Sequence, residues 1–265
     1  MHKTLIQTLL AAFCAILATA PLEGGGVMLI NMRNAMLSGG KRTPTARDYV
    51  QDGLVAMWDG IENAGWGVHD PNATVWKDLS RNGYDLTSAS FRWTNNALDD
   101  SASNIRLDLG DLSGEFPSAI TLSAAMRCPN FRNNAYIFDF YNHSNVGVAF
   151  YTSNLLSPYG IRVQARDSTG NSFSNPSAVN PQYQAFASFV WDSTEGILYG
   201  NSRPVLPKIT TAFTAPPVYF LLGASNGVYN NFRGYVYSLR IYSRALTGNE
   251  IAANDAIDKE RFNLP

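Results

Sequence analysis

Apolar and polar residues alternate in twos along most of this chain, and the rhythm is plainest near its end. In residues 234–242, Leu239 and Ile241 alternate with Ser238, Arg240 and Tyr242, the period of a half-buried strand. Thr247 and Glu250 then stand at capping-box spacing, so Ile251, Ala252, Asn254, Asp255, Ile257 and Asp258 predict one short helix with a small apolar face. Upstream, the pattern predicts strands over 53–58, 75–79, 84–86, 91–93, 105–109, 119–127, 135–140, 146–151, 160–165, 183–191, 196–199 and 218–222. Turn signals separate them: Asp59-Gly60, Ser80-Arg81-Asn82-Gly83, Asn95-Asn96, Asp99-Asp100 and Asn142-His143-Ser144-Asn145. Pro204 and Pro216-Pro217 confine their neighbours to strand starts or sheet edges, because proline cannot donate to a ladder. From residue 51 no helical period occurs before residue 247, and no repeat of fixed length is present. The pattern therefore predicts an all-β fold, a sandwich or a jelly roll, with a short C-terminal helix, over residues 51–265.

The first fifty residues have another texture. A basic start, the apolar run 5–17 and Ala18-Thr19-Ala20 resemble a secretory signal peptide, although Pro21 is a poor residue after a cleavage site. The apolar run is too short and too interrupted for a confident spanning helix. A competing reading starts from Glu23-Gly24-Gly25-Gly26, whose codons can spell a ribosome-binding site ahead of Met28, making residues 1–26 a mis-called extension. Both readings stay open. Under the first the protein is secreted or at the cell surface; under the second it is cytoplasmic or particle-associated. Residues 27–50 are expected to form an arm, with a short helix over 28–38 stopped by Gly39-Gly40 and a linker over 41–48.

Composition narrows the partners. With 45% hydrophobic and 15% charged residues the chain can bury a large core, and a net charge of -1 gives no electrostatic reason to expect nucleic acid. The 13 Tyr, 14 Phe and 5 Trp suit short strands joined by polar turns. Cys14 and Cys128 are the only cysteines; removal of the N-terminal run would leave one thiol and no intrachain disulfide.

Three segments together resemble the LamG-like jelly-roll group of the concanavalin A-like lectin/glucanase superfamily. They are Gly53-Leu54-Val55-Ala56-Met57-Trp58-Asp59-Gly60, Trp76-Lys77-Asp78-Leu79-Ser80-Arg81-Asn82-Gly83, and the run from Gly234-Tyr235 through Ala245-Leu246-Thr247 with Glu250-Ile251. The resemblance covers about residues 51–262 and implies an all-β fold, a two-sheet antiparallel jelly-roll sandwich (concanavalin A-like) with a short C-terminal helix. It is poor in function, because the group includes lectin-like, adhesive, enzyme-appended and viral-particle domains. In the middle signature Arg81 stands where the group has its first glycine. Tyr237 and Ser238 occupy places where members often carry acidic residues, which weakens transfer of a calcium site.

The chemistry is sparse. Superfamily glucanases use clustered carboxylates on one strand, and no such run occurs: Asp192 and Glu195 fall at a turn, and Asp139 stands alone among aromatics. No nucleotide loop or nucleophile elbow is present. No cofactor is implied; calcium is the one candidate ion, with Asp59, Asp78, Asp99 and Asp100 as oxygen donors. The polar loop 61–74 carries the expected ligand contacts, Trp66, His69, Asp70 and Asn72, with Trp66 between glycines and away from the core. Trp58, Trp76 and Trp191 are expected in the core, while Trp93 and Tyr229 stay open. The leading expectation is a non-catalytic extracellular carbohydrate-binding module for a glycan or cell-surface polysaccharide. The alternative is a structural or adhesion subunit, of a phage-like particle for example, with particle or surface proteins as partners. Glycoside hydrolysis stands third.

Overall fold

The computed structural model describes residues 42–100, 107–112, 115, 119–129, 135–141, 147–153, 160–166, 172–175, 185–209, 219–222 and 232–265. Met1–Thr43 and Pro44–Pro265 are separate compact units, and the second carries the sandwich. The expected helix over 28–38, the two readings of residues 1–26, His143 and Tyr229 lie outside the described residues.

The organising strand is the one most legible in the sequence, β16 (Tyr235–Tyr242). One edge of β16 pairs with β7 (Ile120–Arg127) along its length. The other edge is shared end to end by β1 (Leu54–Asp59) and β5 (Ala97–Asp99). Asp59 lies opposite Ser238, and Asp99 opposite Tyr235. Between the two partners the chain must pass very close, and Gly60 permits it: a Cβ there would lie 2.0 Å from the Asn96 carbonyl oxygen. β12 (Ala185–Trp191), β13 (Gly196–Gly200) and β14 (Arg203–Ile209) extend the sheet beyond β7, and β4 (Trp93–Thr94) lies beyond β5. Pro204 sits in β14, the edge strand, as its missing N–H requires.

The second sheet runs in the order β11 (Ser172–Asn175), β10 (Gly160–Arg166), β9 (Gly147–Ser153), β8 (Tyr136–Tyr141), β15 (Tyr219–Leu222) and β6 (Leu107–Asp111). Inward side chains of the two sheets, among them Trp58, Leu122, Phe138, Phe150, Phe189 and Ile241, form one core. Phe150 meets Phe189 edge to face across it at 6.4 Å. A two-stranded ribbon of β2 (Val75–Trp76) and β3 (Leu86–Thr87) stands apart, with Trp76 and Leu86 in the core. Trp58, Trp76 and Trp191 are buried as expected.

Strands β5, β11 and β14 were not predicted; they are short, proline-bearing or polar, so their alternation is weak. Two other expectations change. The sandwich unit begins at Pro44 rather than 51, because Ala46 and Tyr49 are buried against Met57 and Leu79 and a 3-10 turn over Ala46–Asp48 is capped by Thr45. And α1 (Gly248–Arg261), which has the expected Thr247/Glu250 capping box, buries Ile251, Asn254, Asp255 and Asp258. Its inward face is mostly polar, not apolar. It lies over the outer face of the eight-stranded sheet, where Ser238, Arg240 and Tyr242 point away from the main core and need polar partners.

Candidate functional site

Residues 60–74 leave the end of β1 and form a loop held by its own polar groups. Asp59 Oδ1 accepts the N–H groups of Ile61 at 2.8 Å and Glu62 at 3.1 Å. Buried Asn63 imitates a strand partner: its Oδ1 accepts the Asp70 N–H and its Nδ2 donates to the Asp70 carbonyl, both at 2.8 Å. Glu62 Oε2 accepts the Gly67 N–H at 3.0 Å, and Gly65 and Val68 form a β-bridge. Gly65 and Gly67 have φ of 127° and 71°, left-handed backbone that glycine adopts without strain. His69 Nδ1 lies 3.1 Å from the Gly60 carbonyl oxygen, which can only accept, so this nitrogen carries the proton. Asp70 Oδ1 accepts the Asn72 N–H at 2.8 Å. The rigid result presents Val68, 52% exposed, together with His69, Asp70 and Asn72 to solvent.

Trp66 behaves differently from the expectation. It reaches an apolar cluster of Ala46, Tyr49, Met57 and Leu79 and is half-buried. The strap at 44–50, read from sequence as linker, supplies that surface. The Arg47 guanidinium lies over the indole, 4.9 Å from the ring centroid. Trp58, Trp76 and Trp93 each donate their indole N–H to a backbone carbonyl, of Tyr84, Asp59 and Ala73 respectively. Among the described residues Trp66 has no hydrogen-bond partner, so its N–H is left for solvent or a ligand. Arg47 was missed by sequence reasoning, though Thr45 and Asp48 at capping spacing marked an ordered turn around it.

Three of the acidic residues weighed for calcium, Asp59, Asp78 and Asp99, serve other ends. Asp78, Ser80 and Asn82 form a clip along the free edge of β1. Asp78 Oδ1 accepts the Met57 and Ser80 N–H groups, and its Oδ2 accepts the Ser80 hydroxyl and the Tyr84 N–H. Asn82 Nδ2 donates to the Val55 carbonyl at 2.8 Å, and the single Ser80 hydroxyl proton is shared between that carbonyl, also at 2.8 Å, and Asp78 Oδ2. The clip stands where a neighbouring strand would pair, and it accounts physically for the Asp78–Gly83 signature. Asp59 Oδ2 binds Arg261, and Asp99 Oδ2 accepts the Thr94 hydroxyl. Among the described residues no three His, Cys, Asp or Glu side chains come together as a metal set, and His69 with Asp70 recruits no third ligand.

Behind the loop lies a buried polar seam. Arg240 and Asp258, both essentially inaccessible, pair at 2.6 Å; Ser238 donates to the same carboxylate at 2.7 Å and Tyr49 at 2.8 Å. The Tyr49 ring covers Arg240 at 4.2 Å. Arg261 bridges Asp59 and Glu62 at 2.9 and 3.1 Å. Burial raises the Asp59 carboxyl to about 6, with Arg261 and the Glu62 N–H pulling the other way. Burial likewise raises Asp255 to about 6 against a hydrogen bond from Ser202. Glu250, held by Arg244 and the Thr247 N–H, is lowered to about 2. This seam docks α1, and through Glu62 it also fixes the loop.

Two antiparallel sheets around one core, closed by β16 and a polar-docked helix, define a concanavalin A-like jelly-roll sandwich. The chain belongs to the concanavalin A-like lectin/glucanases superfamily, a laminin G-type family of which matches residues 99–252, more than half of the sequence. Among solved structures, Trypanosoma rangeli sialidase in complex with sialic acid is similar with a TM-score of 0.57 and 16% identity, over 82% of this chain and 34% of the sialidase. The receptor-binding domain of botulinum neurotoxin C/D mosaic serotype is similar with a TM-score of 0.56 and 13% identity, over 78% of this chain and 52% of that one. The botulinum neurotoxin serotype D binding domain gives 0.53 and 13%, over 78% and 51%. The chain thus spans about a third of the sialidase and half of the toxin domains, and at these identities the likeness is one of fold. No curated protein matches the sequence.

Proposed function

We propose that this protein is a non-catalytic, lectin-like module that binds carbohydrate outside the cell, with the loop at 60–74 as its contact surface. The observation that carries the reading is Trp66, an accessible indole on a rigid loop with its N–H unpaired, whereas Trp58, Trp76 and Trp93 pair theirs. Sugar rings stack on indole faces, and their hydroxyls pair with donors and acceptors such as His69, Asp70 and Asn72. Preorganisation of the loop by Asn63 and Glu62 lowers the ordering cost of binding. The likenesses in fold to a sialidase bound to sialic acid and to a toxin's receptor-binding domain are consistent in kind with a recognition role.

Asp192 and Glu195, two carboxylates close in sequence, have structural partners. Asp192 Oδ1 accepts the Thr194 and Glu195 N–H groups and the Thr194 hydroxyl, while Glu195 pairs with Lys208. That leaves a turn, not an acid and a nucleophile facing one bond. The reading is tested by retention on immobilised glycans. Trp66→Ala and His69→Ala should each lose retention, the second with only a small fall in melting temperature, since His69 is exposed and gives up one hydrogen bond, to the Gly60 carbonyl. Retention unchanged in both variants overturns the proposal.

A further inference from the structure

We infer that the glycan recognised at this loop is acidic, a saccharide bearing a carboxylate, and that Arg47 and Trp66 together form its anion subsite. This rests on the lectin-like reading and specifies its ligand.

The inference starts from donors without acceptors. Arg47 is exposed, and among the described residues its guanidinium makes no ion pair and no hydrogen bond. Arg240, Arg244 and Arg261, by contrast, are all paired with carboxylates. The Arg47 group is nonetheless held in place. Its backbone sits in a capped turn, where Thr45 Oγ1 accepts the Arg47 N–H and Asp48 accepts the Thr45 N–H at 2.7 Å, and its guanidinium rests on the Trp66 ring. Stacking occupies the face of a guanidinium and leaves its edge, with the N–H fork, pointing outward. A planar carboxylate fits that fork with two parallel hydrogen bonds. Beside it the Trp66 N–H is a further unused donor. The two side chains thus offer only donors and one positive charge, and they call for an anionic, acceptor-rich group.

The neighbouring loop completes a sugar site rather than a bare ion site. Val68, exposed two residues from Trp66, offers an apolar patch for the C–H face of a pyranose, and Asp70 and Asn72 offer partners for hydroxyls. The chain's net charge of -1 makes attraction local to Arg47 rather than a property of the whole surface. A uronic acid residue within a polysaccharide has the required parts: one carboxylate, several hydroxyls and an apolar ring face.

The test uses the full chain with two polyuronates, alginate and polygalacturonate, and with the same polymers after carboxyl reduction to neutral glycans. The expected result is binding to a polyuronate that disappears on carboxyl reduction and weakens as salt rises. Arg47→Ala should weaken it about tenfold or more, the scale of a lost charge-assisted pair. Arg47→Lys, which keeps the charge and loses the fork, should recover only part, and Trp66→Phe, which keeps the ring and loses the N–H, should weaken binding less than Arg47→Ala. Melting temperatures of the Arg47 variants should lie close to the parent's, since the side chain is exposed and gives up only its contact with the Trp66 ring. Equal binding of native and reduced polymers, or an Arg47→Ala variant that binds polyuronate like the parent, overturns the acidic-ligand inference and leaves the lectin-like reading standing. Absence of binding to any glycan, charged or neutral, overturns both.

Discussion

At the scale of single residues, two positions show how local conformation was written into the sequence. Gly60 lets β1 and β5 meet against one edge of β16, and any side chain there would collide with backbone. Arg81 is the opposite case: it has φ of 81° in the clip turn, where the related signature has glycine. An L residue in this region costs on the order of 1 kcal/mol, partly offset by the lower chain entropy of a non-glycine in the unfolded state. Arg81→Gly should therefore raise stability by about 0.5 kcal/mol, read as a higher urea midpoint with an unchanged slope. A lower midpoint would show that the Arg81 side chain contributes an interaction larger than the strain. Trp66 illustrates the limit of local reading. Its flanking glycines suggested isolation from the core, but the apolar surface it reaches comes from Ala46 and Tyr49, a segment whose sequence has the look of a linker. Nothing between residues 60 and 74 could reveal a partner brought in from outside that loop.

At the scale of elements, β16 and the start of α1 were legible because alternation and capping are local signals, whereas the helix's buried face was not. Arg240 on an alternating strand looks like a solvent-facing residue, yet it is buried because Asp258 and Tyr49 come from distant parts of the chain. Removing one member of such a pair leaves an uncompensated charge. Asp258→Ala should cost about 3–5 kcal/mol. Protease sensitivity beginning in α1 would locate the damage there; a loss under 1 kcal/mol would mean that the seam contributes little to docking. The seam also sets a pH dependence. Asp59 and Asp255 titrate near 6 when folded, above the ordinary range, so the folded state binds their protons more tightly than the unfolded state does. Their contribution is fully present below about pH 4 and is lost as pH rises through 6, on the order of 3 kcal/mol for each group. Glu250, lowered to about 2, acts oppositely: its contribution is present above about pH 4.5 and is lost as pH falls toward 2. Stability should decline from pH 4 to pH 7, and Asp255→Asn should flatten that decline. A variant with the parent's pH profile would exclude Asp255 as a source.

At the scale of the whole molecule, the sandwich follows from many weak period-two signals that agree, which is why the fold was readable although the edge strands β11 and β14 were not. Function was less readable for a physical reason. The residues that match the family signatures, Asp78 to Gly83 and Arg240 to Glu250, build the clip and the helix dock, so the recognisable positions are structural. The proposed recognition surface lies instead on a loop and a strap whose side chains meet only when folded together, Arg47 over Trp66 above all. The central claim is that this loop is a glycan-binding surface, and backbone amide chemical shifts followed during titration with alginate test it most directly. The account predicts saturable shifts concentrated at residues 45–49 and 62–72, with the buried strands β7 and β16 unmoved. Saturable shifts centred elsewhere on the sandwich, with residues 62–72 silent, would contradict it.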